Sequence, residues 1–144
     1  KVVKEGKKVA ILNFGARLQE CKKAAEALSK KGIEITIIDA RFAKPLDEKL
    51  IINVATNHEV VISIEEGSVG GFGSHVMQLL SNRGIFDKGL KFRSMTLPDI
   101  FIDQDSPEKM YEKAGLDSES IVNKIEETLN SKIILVNSKN KNLV

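Results

Sequence analysis

Two adjacent acids, Glu65 and Glu66, stand between a run of apolar residues and a glycine-rich turn. Residues 60–64 have the unbroken apolar or small character of a strand that is buried on both faces, as in a parallel sheet. Carboxylates at the end of such a strand can act as a general acid or base when a cleft shifts their pKa. No histidine or metal-ligand cluster is near them in sequence, so we expect them to bond helix amides or a subunit contact.

The turn after these acids has the composition of an interface or anion-binding loop. Its glycines allow sharp bends and bring the next helix close to the sheet. The first turn of that amphipathic helix has free amides, which attract an anion or the carboxylate of a partner. We expect its histidine to be a neutral packing or interface residue. The candidate residues are Glu65, Glu66, Gly67, Gly70, Gly71, Gly73, Ser74 and His75.

Three further charged residues follow the ends of predicted strands and form a candidate set of sheet-edge charges. They are Arg17, Asp39 and Arg41. The two arginines can reach the same carboxyl edge of the sheet, where they would suit phosphate recognition. The simpler expectation is an ion pair with Asp39, Glu65 or Glu66.

Other chemistries lack the residues that they need. A dinucleotide fingerprint places its glycines after the first strand, but residues 13–17 contain only one glycine, and no GxxxxGK[ST] pattern is present. His58, which we expect to be solvated in a polar turn, is far in sequence from His75 and from Cys21, so the three do not form a metal site. We expect Cys21 to be buried on the apolar stripe of the first helix.

The composition of the 144 residues is that of an ordinary globular domain, with 42% hydrophobic and 29% charged residues. A net charge of +2, without a basic stripe, argues against nucleic-acid binding. No apolar run approaches the roughly 20 residues that span a bilayer, and no signal peptide opens the sequence. The single cysteine fits a reducing compartment, so we expect a cytoplasmic protein.

Strand patterns alternate with helix patterns along the chain, which predicts an α/β fold. We expect a three-layer α/β/α sandwich with a mostly parallel five-stranded sheet. The predicted strands cover residues 9–14, 33–38, 60–64, 91–97 and 100–102. Because the chain begins with Lys1, we expect a fragment of a longer polypeptide, with a domain over residues 1–130. Residues 131–144 are predicted to be a frayed tail, in which the apolar residues 133–136 can dock.

Four segments carry a resemblance to a known family: Asn-Phe-Gly-Ala-Arg at 13–17, Asp-Ala-Arg-Phe-Ala-Lys-Pro-Leu-Asp at 39–47, the loop at 65–73, and Ala-Gly-Leu-Asp at 114–117. Together they resemble the C-terminal domain of 1-deoxy-D-xylulose-5-phosphate synthase, in the transketolase superfamily. The resemblance covers residues 2–130. The glutamate–glycine loop is common across that superfamily, whereas the Arg-Phe-x-Lys-Pro-Leu-Asp run is more selective for the synthase.

This resemblance implies a role within a larger enzyme. The full-length synthase condenses pyruvate with glyceraldehyde 3-phosphate, and its product feeds isoprenoid, thiamine and pyridoxal synthesis. The resemblance places thiamine diphosphate, Mg²⁺ and the catalytic residues in the preceding domains, so no cofactor and no catalytic residue is expected in this fragment. The domain would pack against those domains and support a homodimer. Two alternatives stay open: another thiamine enzyme (a transketolase or a 2-oxo acid dehydrogenase β subunit), and an anion-binding regulatory domain.

Overall fold

In the computed structural model, which describes residues 1–131, five strands form one sheet in the order β1-β3-β2-β4-β5. The neighbours β3, β2, β4 and β5 pair in parallel, and β1 pairs antiparallel with β3. The strands are β1 (Val2–Lys4), β2 (Val9–Phe14), β3 (Ile35–Ala40), β4 (Val60–Glu65) and β5 (Lys91–Met95).

Helices cover both faces of this sheet. They are α1 (Leu18–Ser29), α2 (Glu48–Asn57), α3 (Phe72–Asn82), α4 (Pro107–Lys113) and α5 (Ser118–Asn130), with one 3₁₀ turn at Ile85–Lys88. Buried side chains of α1 and α5 share a core with one face of the sheet, and those of α2 and α3 share a core with the other face. The predicted three-layer α/β/α sandwich is therefore confirmed.

Polar side chains cap the N-termini of three helices. Asp47, Ser106 and Asp117 each precede a helix, and each side chain accepts the backbone amide three residues further on, at 3.1, 3.5 and 3.2 Å. Such caps pair amides that have no partner within the helix itself. They explain why α2, α4 and α5 begin where they do.

The strand predicted at residues 100–102 is wrong. The chain bends at residues 99–100, where the Ile100 amide donates to the Pro98 carbonyl at 2.9 Å, and residues 101–102 are irregular; Ile100 itself is exposed. The fifth strand of the sheet is β1, which is too short to show a recognisable alternation of apolar and polar residues. The strand predicted at 33–38 begins at Ile35, and the one predicted at 91–97 ends at Met95. The predicted tail beyond Ser131, including residues 133–136, lies outside the described residues.

The order of the strands creates a crevice at the carboxyl edge of the sheet. The chain leaves β2 for α1 on one face, whereas it leaves the neighbouring strand β4 for α3 on the opposite face. Open α/β sheets bind their ligands at this kind of switch point. The loops after β2 and β4, which carry most of the candidate residues, therefore lie at the position where a ligand would be expected.

Candidate functional site

Glu65, the last residue of β4, caps the N-terminus of α3 with its side chain. Its side chain is buried, with 3% of the residue exposed. Its two carboxylate oxygens accept the backbone amides of Phe72 and Gly73, each at 2.9 Å. A carboxylate in this position pairs orphan amides and interacts favourably with the helix dipole. The carboxylate of Glu65 thus occupies the position at the N-terminus of α3 where an external anion would bind. This agrees with the expectation that the acid bonds helix amides.

Four more amides, two in the glycine-rich loop and two in the first turn of α3, also have partners within the chain. Gly70 donates to the Ser74 hydroxyl at 3.0 Å, and Gly71 donates to the Ser68 carbonyl at 3.3 Å. Ser74 and His75 both donate to the Gly71 carbonyl, at 3.1 and 3.2 Å. An anion could bind these four amides only by displacing these hydrogen bonds. The arrangement disfavours the anion-binding interpretation, and the interface interpretation stays a prediction.

Two glycines allow the loop to approach the sheet closely. A Cβ atom on Gly71 would lie 2.2 Å from Oε2 of Glu65, which is far inside van der Waals contact. A Cβ atom on Gly73 would lie 2.3 Å from the Ser94 hydroxyl and 2.5 Å from the Ser63 hydroxyl. These positions need glycine because there is no room for a side chain between α3 and the ends of β4 and β5.

Gly67 and Gly70 have different reasons to be glycine. Gly70 has φ of +105°, and a Cβ atom added to it would have no neighbour within 4 Å, so its requirement is conformational. A Cβ atom on Gly67 would lie 2.9 Å from Oε2 of Glu65. The Gly67 carbonyl accepts the Leu97 amide at 2.9 Å, which ties the glycine-rich loop to the segment after β5.

Glu66 points to the opposite side, as the alternation of a strand requires. Its Oε1 atom accepts the Tyr111 hydroxyl at 2.5 Å and lies 3.0 Å from Nε of Arg17. Its Oε2 atom accepts the Ala16 amide at 3.2 Å. The Arg17 guanidinium lies 3.4 Å from the centre of the Tyr111 ring, within the range of a cation–π contact. We call Arg17, Glu66 and Tyr111 the Glu66 cluster.

The contacts of the Glu66 cluster shift two pKa values in opposite directions. Partial burial works against ionisation of Glu66, but the hydrogen bonds from Tyr111 and Ala16 and the charge of Arg17 outweigh it and lower the pKa of Glu66 below 4.5. The hydrogen bond to Glu66 raises the pKa of Tyr111 above 10.0. Glu66 is therefore ionised at neutral pH, and its carboxylate is bonded by Tyr111, Ala16 and Arg17.

The candidate sheet-edge charges separate into two places. Arg17 pairs with Glu66, one of the three partners expected for it, whereas Nε of Arg41 lies 3.9 Å from Oδ2 of Asp39 at the end of β3. Asp39 and Arg41 lie on the rim of a cleft of about 230 Å³. Its apolar lining includes Leu12, Ile38, Phe42, Pro45, Leu50, Ile51 and Phe72.

Exposed apolar side chains follow the carboxyl ends of three strands. Phe42 is 69% exposed after β3, Val69 is exposed after β4, and Ile100 and Phe101 are exposed after β5. Contiguous apolar patches on a surface are typical of contact sites. This series was not predicted from the sequence, although Phe42 among charged residues and the Ile-Phe pair after Pro98 were visible signals.

The prediction that His58 is solvated is wrong. The residue is half-buried, and its Nδ1 atom lies 2.8 Å from the Val54 carbonyl, to which only an N–H can donate. Its Nε2 atom, 2.8 Å from the Thr36 hydroxyl, therefore accepts in the neutral ring. The Thr36 hydroxyl also accepts the Gly6 amide at 2.9 Å. His58 thus links α2 to β3 and to the segment after β1.

Cys21 is fully buried on α1, as predicted, and burial raises its pKa to about 12. It is a packing residue and not a nucleophile. His75 lies in the first turn of α3 and is half-buried. Within residues 1–131, no group of three or more His, Cys, Asp or Glu side chains is arranged to hold a metal ion. Over the same residues, none of the helices combines the length and apolarity needed to cross a bilayer.

The sequence matches the family model described as transketolase, C-terminal domain, over residues 1–121. The chain belongs to this family. The matched residues include the crevice between β2 and β4, the Glu66 cluster and the cleft beside Asp39. The site just described is therefore part of a transketolase C-terminal domain.

Solved structures have the same fold. One is a split-gene transketolase, whose structure is described as an inactive beta4 tetramer. It superposes with a TM-score of 0.82 at 29% sequence identity, and the match covers 92% of this chain and 43% of that one. A transketolase from Campylobacter jejuni superposes with a TM-score of 0.58 at 16% identity, over 88% of this chain and 18% of that one, and shows the fold alone. The chain spans less than half the length of either protein.

The described residues of this transketolase C-terminal domain do not fit a thiamine diphosphate site. The α3 amides that would suit a diphosphate are bonded to Glu65. The neighbouring acid, Glu66, is paired with Arg17 and Tyr111, so it does not offer free oxygens to Mg²⁺.

Proposed function

We propose that the chain is the C-terminal domain of a 1-deoxy-D-xylulose-5-phosphate synthase and that it acts in packing and dimerisation. The full-length enzyme would be a cytoplasmic homodimer that condenses pyruvate with glyceraldehyde 3-phosphate and releases CO₂. Thiamine diphosphate and Mg²⁺ would bind in its preceding domains. Support for the synthase comes from the Arg-Phe-Ala-Lys-Pro-Leu-Asp run at 41–47, and the family match supports the broader assignment.

The observation that carries the non-catalytic role is the state of the carboxyl edge. Glu65 is engaged by the amides of α3 and Glu66 by Arg17 and Tyr111, so neither acid after β4 is free for catalysis. The same edge exposes Phe42, Val69 and Phe101. An edge whose glutamates after β4 have hydrogen-bond partners and whose exposed side chains are apolar fits a surface that packs against another domain. The split-gene transketolase that was solved as an inactive beta4 tetramer also supports a role in assembly without catalysis.

Substitution of the exposed apolar residues tests the packing role. In the isolated chain, Phe42→Ser and Phe101→Ser should leave the melting temperature nearly unchanged, because both side chains already face water. In the full-length enzyme the same variants should lower the melting temperature and weaken the dimer in sedimentation. Met77→Ser, at an exposed apolar position on α3, is the matched control and should do neither.

Equal behaviour of these variants and the control in the full-length enzyme would contradict the packing role. So would a large loss of stability in the isolated chain, because it would show that Phe42 and Phe101 act within the domain. Calorimetry of residues 1–144 with thiamine diphosphate and Mg²⁺ supplies an independent test. Binding in the micromolar range would contradict the placement of the cofactor in other domains.

The choice of substrates separates the synthase from its alternatives. The full-length enzyme should release CO₂ from pyruvate and glyceraldehyde 3-phosphate, and it should be inactive on pairs of sugar phosphates. Ketol transfer between sugar phosphates would instead identify a transketolase, which the 29% identity to a split-gene transketolase also allows. A 2-oxo acid dehydrogenase β subunit should catalyse neither of these two reactions.

A titration distinguishes the remaining alternative, an anion-binding regulatory domain. Sugar phosphates, diphosphates and nucleotides should leave the amide NMR signals of Phe72 and Gly73 unchanged, because Glu65 already accepts both amides. Saturable shifts at these two signals would favour the regulatory domain over the packing role.

A further inference from the structure

A segment between β5 and α5 is held on the domain by few contacts. Residues 96–113, which we call the strap, connect buried Met95 to buried Ala114, and none of its own residues is buried. The strap includes α4, which has no buried residue. Segments with few buried contacts are the ones that open locally at low free-energy cost while the rest of a domain stays folded.

The two ends of the strap are attached differently. Near its start, the Leu97 amide donates to the Gly67 carbonyl at 2.9 Å, and Leu97 and Ile102 pack partly against the core. Near its end, Tyr111 packs partly against the same core and donates its hydroxyl to Glu66. In the described residues, this is the one side-chain hydrogen bond that joins α4 to a segment outside the strap.

Glu66 is well placed to hold α4. Its Oε1 atom contacts the Tyr111 hydroxyl and Nε of Arg17, while its Oε2 atom accepts the Ala16 amide. The Arg17 guanidinium covers the Tyr111 ring, so the ring and the hydroxyl are both engaged. One carboxylate therefore joins the end of β4, the turn after β2, and α4. Hydrogen bonds to a charged group are about twice as strong as neutral ones.

We propose that the Glu66 cluster is a latch for the strap: α4 and the strap open as one unit while the sheet stays folded, and Glu66 sets the opening equilibrium through Tyr111. Glu66 is in this respect a positioning residue. The proposal depends only on contacts within the described chain and would stand if the enzyme assignment failed.

The latch has a consequence for the carboxyl edge. The strap carries Ile100 and Phe101, two of the exposed apolar residues of that edge. With the latch closed, both side chains are held in place before a partner arrives, which lowers the ordering cost of binding. This consequence, unlike the latch itself, rests on the proposed packing function.

Hydrogen exchange followed by NMR tests the latch in the intact chain. Suitable reporters are the amides of Met110, Ala114 and Leu116, which donate to carbonyls of α4 or its N-cap at 3.0, 2.9 and 2.9 Å. Glu66→Gln, which removes the charge, and Tyr111→Phe, which removes the hydroxyl, should each accelerate exchange of these amides about tenfold or more. The Ile51 amide at the start of α2 should exchange at its wild-type rate in both variants.

A matched control is Glu127→Gln. Glu127 also forms a charged contact, with Lys124 at 2.8 Å on the exposed face of α5, but it does not contact the strap. Its substitution should leave the exchange of the α4 amides unchanged. The double variant of Glu66 and Tyr111 should exchange little faster than either single variant, because both remove the same interaction.

Each other outcome overturns the latch. Unchanged exchange in Glu66→Gln and Tyr111→Phe would show that the cluster does not hold α4. Equal acceleration of the α4 amides and of Ile51 would show that the cluster stabilises the whole domain, with no separate opening of the strap. Fully additive effects in the double variant would show that Glu66 does not act through Tyr111.

Discussion

Replacement of Gly71 by alanine offers the sharpest test of the internal cap on α3. The new Cβ atom would lie 2.2 Å from Oε2, 2.9 Å from Cδ and 3.0 Å from Oε1 of Glu65, so its nearest contacts all belong to one carboxylate. That carboxylate is buried, and it cannot move away without breaking its hydrogen bonds with the amides of Phe72 and Gly73. The substitution should therefore force Glu65 out of its position.

The expected cost has two parts. Overpacking of a dense region costs about 1–3 kcal/mol, and each hydrogen bond to a charged group contributes about 1.5–3 kcal/mol. Because the loop can relax partly, we expect Gly71→Ala to lower the free energy of unfolding by at least about 3 kcal/mol, from a total of about 5–15 kcal/mol. The melting temperature should fall by about 10 °C. Urea unfolding followed by circular dichroism measures the change.

Two further variants separate the clash from general effects of removing a glycine. Gly115→Ala is the control, because Gly115 has φ of +70° and no atom within 4 Å of the added methyl, so only the backbone conformation resists it. Its cost should be about 1–2 kcal/mol. In Glu65→Ala the clashing group is absent, so adding Gly71→Ala to that variant should change stability by less than about 1 kcal/mol. Additive costs of Glu65→Ala and Gly71→Ala would refute the reasoning, because the methyl group would then clash with something other than Glu65.

Three other predictions concern separate parts of the domain. Ellman's reagent should label Cys21 at least about tenfold more slowly in the native protein than in denaturant, because its thiol is buried and its pKa is raised to about 12. Comparable labelling rates would mean that the face of α1 that carries Cys21 is exposed to solvent. Thr36→Val should cost about 1–3 kcal/mol, since it leaves His58 and a backbone amide without their shared partner. The control Thr56→Val, on the exposed face of α2, should cost under about 1 kcal/mol, and equal costs would contradict a role for the His58 contact. Finally, the folded-state pKa of Glu66 lies below its ordinary value of 4.5, so its contribution to stability is present above pH 4.5 and is lost as pH falls through the folded pKa. The stability difference between wild type and Glu66→Gln should therefore shrink below pH 4.5, and a difference that grows in acid would contradict this assignment.

The parts of the fold that were predictable are those that local physics decides. A parallel strand buried on both faces must be apolar along its length, so residues 9–14 and 60–64 identified β2 and β4 directly. The caps of α2, α4 and α5 are equally local, because each capping side chain pairs with an amide only three residues away. The segment at 100–102 was misleading because the side chains of Ile100 and Phe101 face outward, and no local pattern distinguishes exposed apolar residues from those of a core.

The site was predictable only where its members are neighbours in sequence or follow adjacent strands. The acids and glycines after β4 were found together, and a pairing of Arg17 with Glu66 was among the expectations. Tyr111 was missed because it reaches Glu66 across 45 positions of the chain, and only the packing of α4 brings the two together. His58 was misplaced for the same reason, since its partner Thr36 belongs to β3.

The pair Glu65–Glu66 explains why a loop with the composition of a ligand site bonds to its own chain at the start of α3. Adjacent residues of a strand point to opposite faces, so one acid reaches the amides of α3 while the other reaches the turn after β2 and α4. The two sides of the switch-point crevice are thus closed by carboxylates from a single dipeptide. The glycines of the loop, in particular Gly71, then serve to pack the backbone around an internal carboxylate where in other α/β folds they would admit a bound phosphate. In this domain the acid at the last position of β4 fills the start of α3 from within, so a contact with another domain would use the exposed apolar side chains of the same edge.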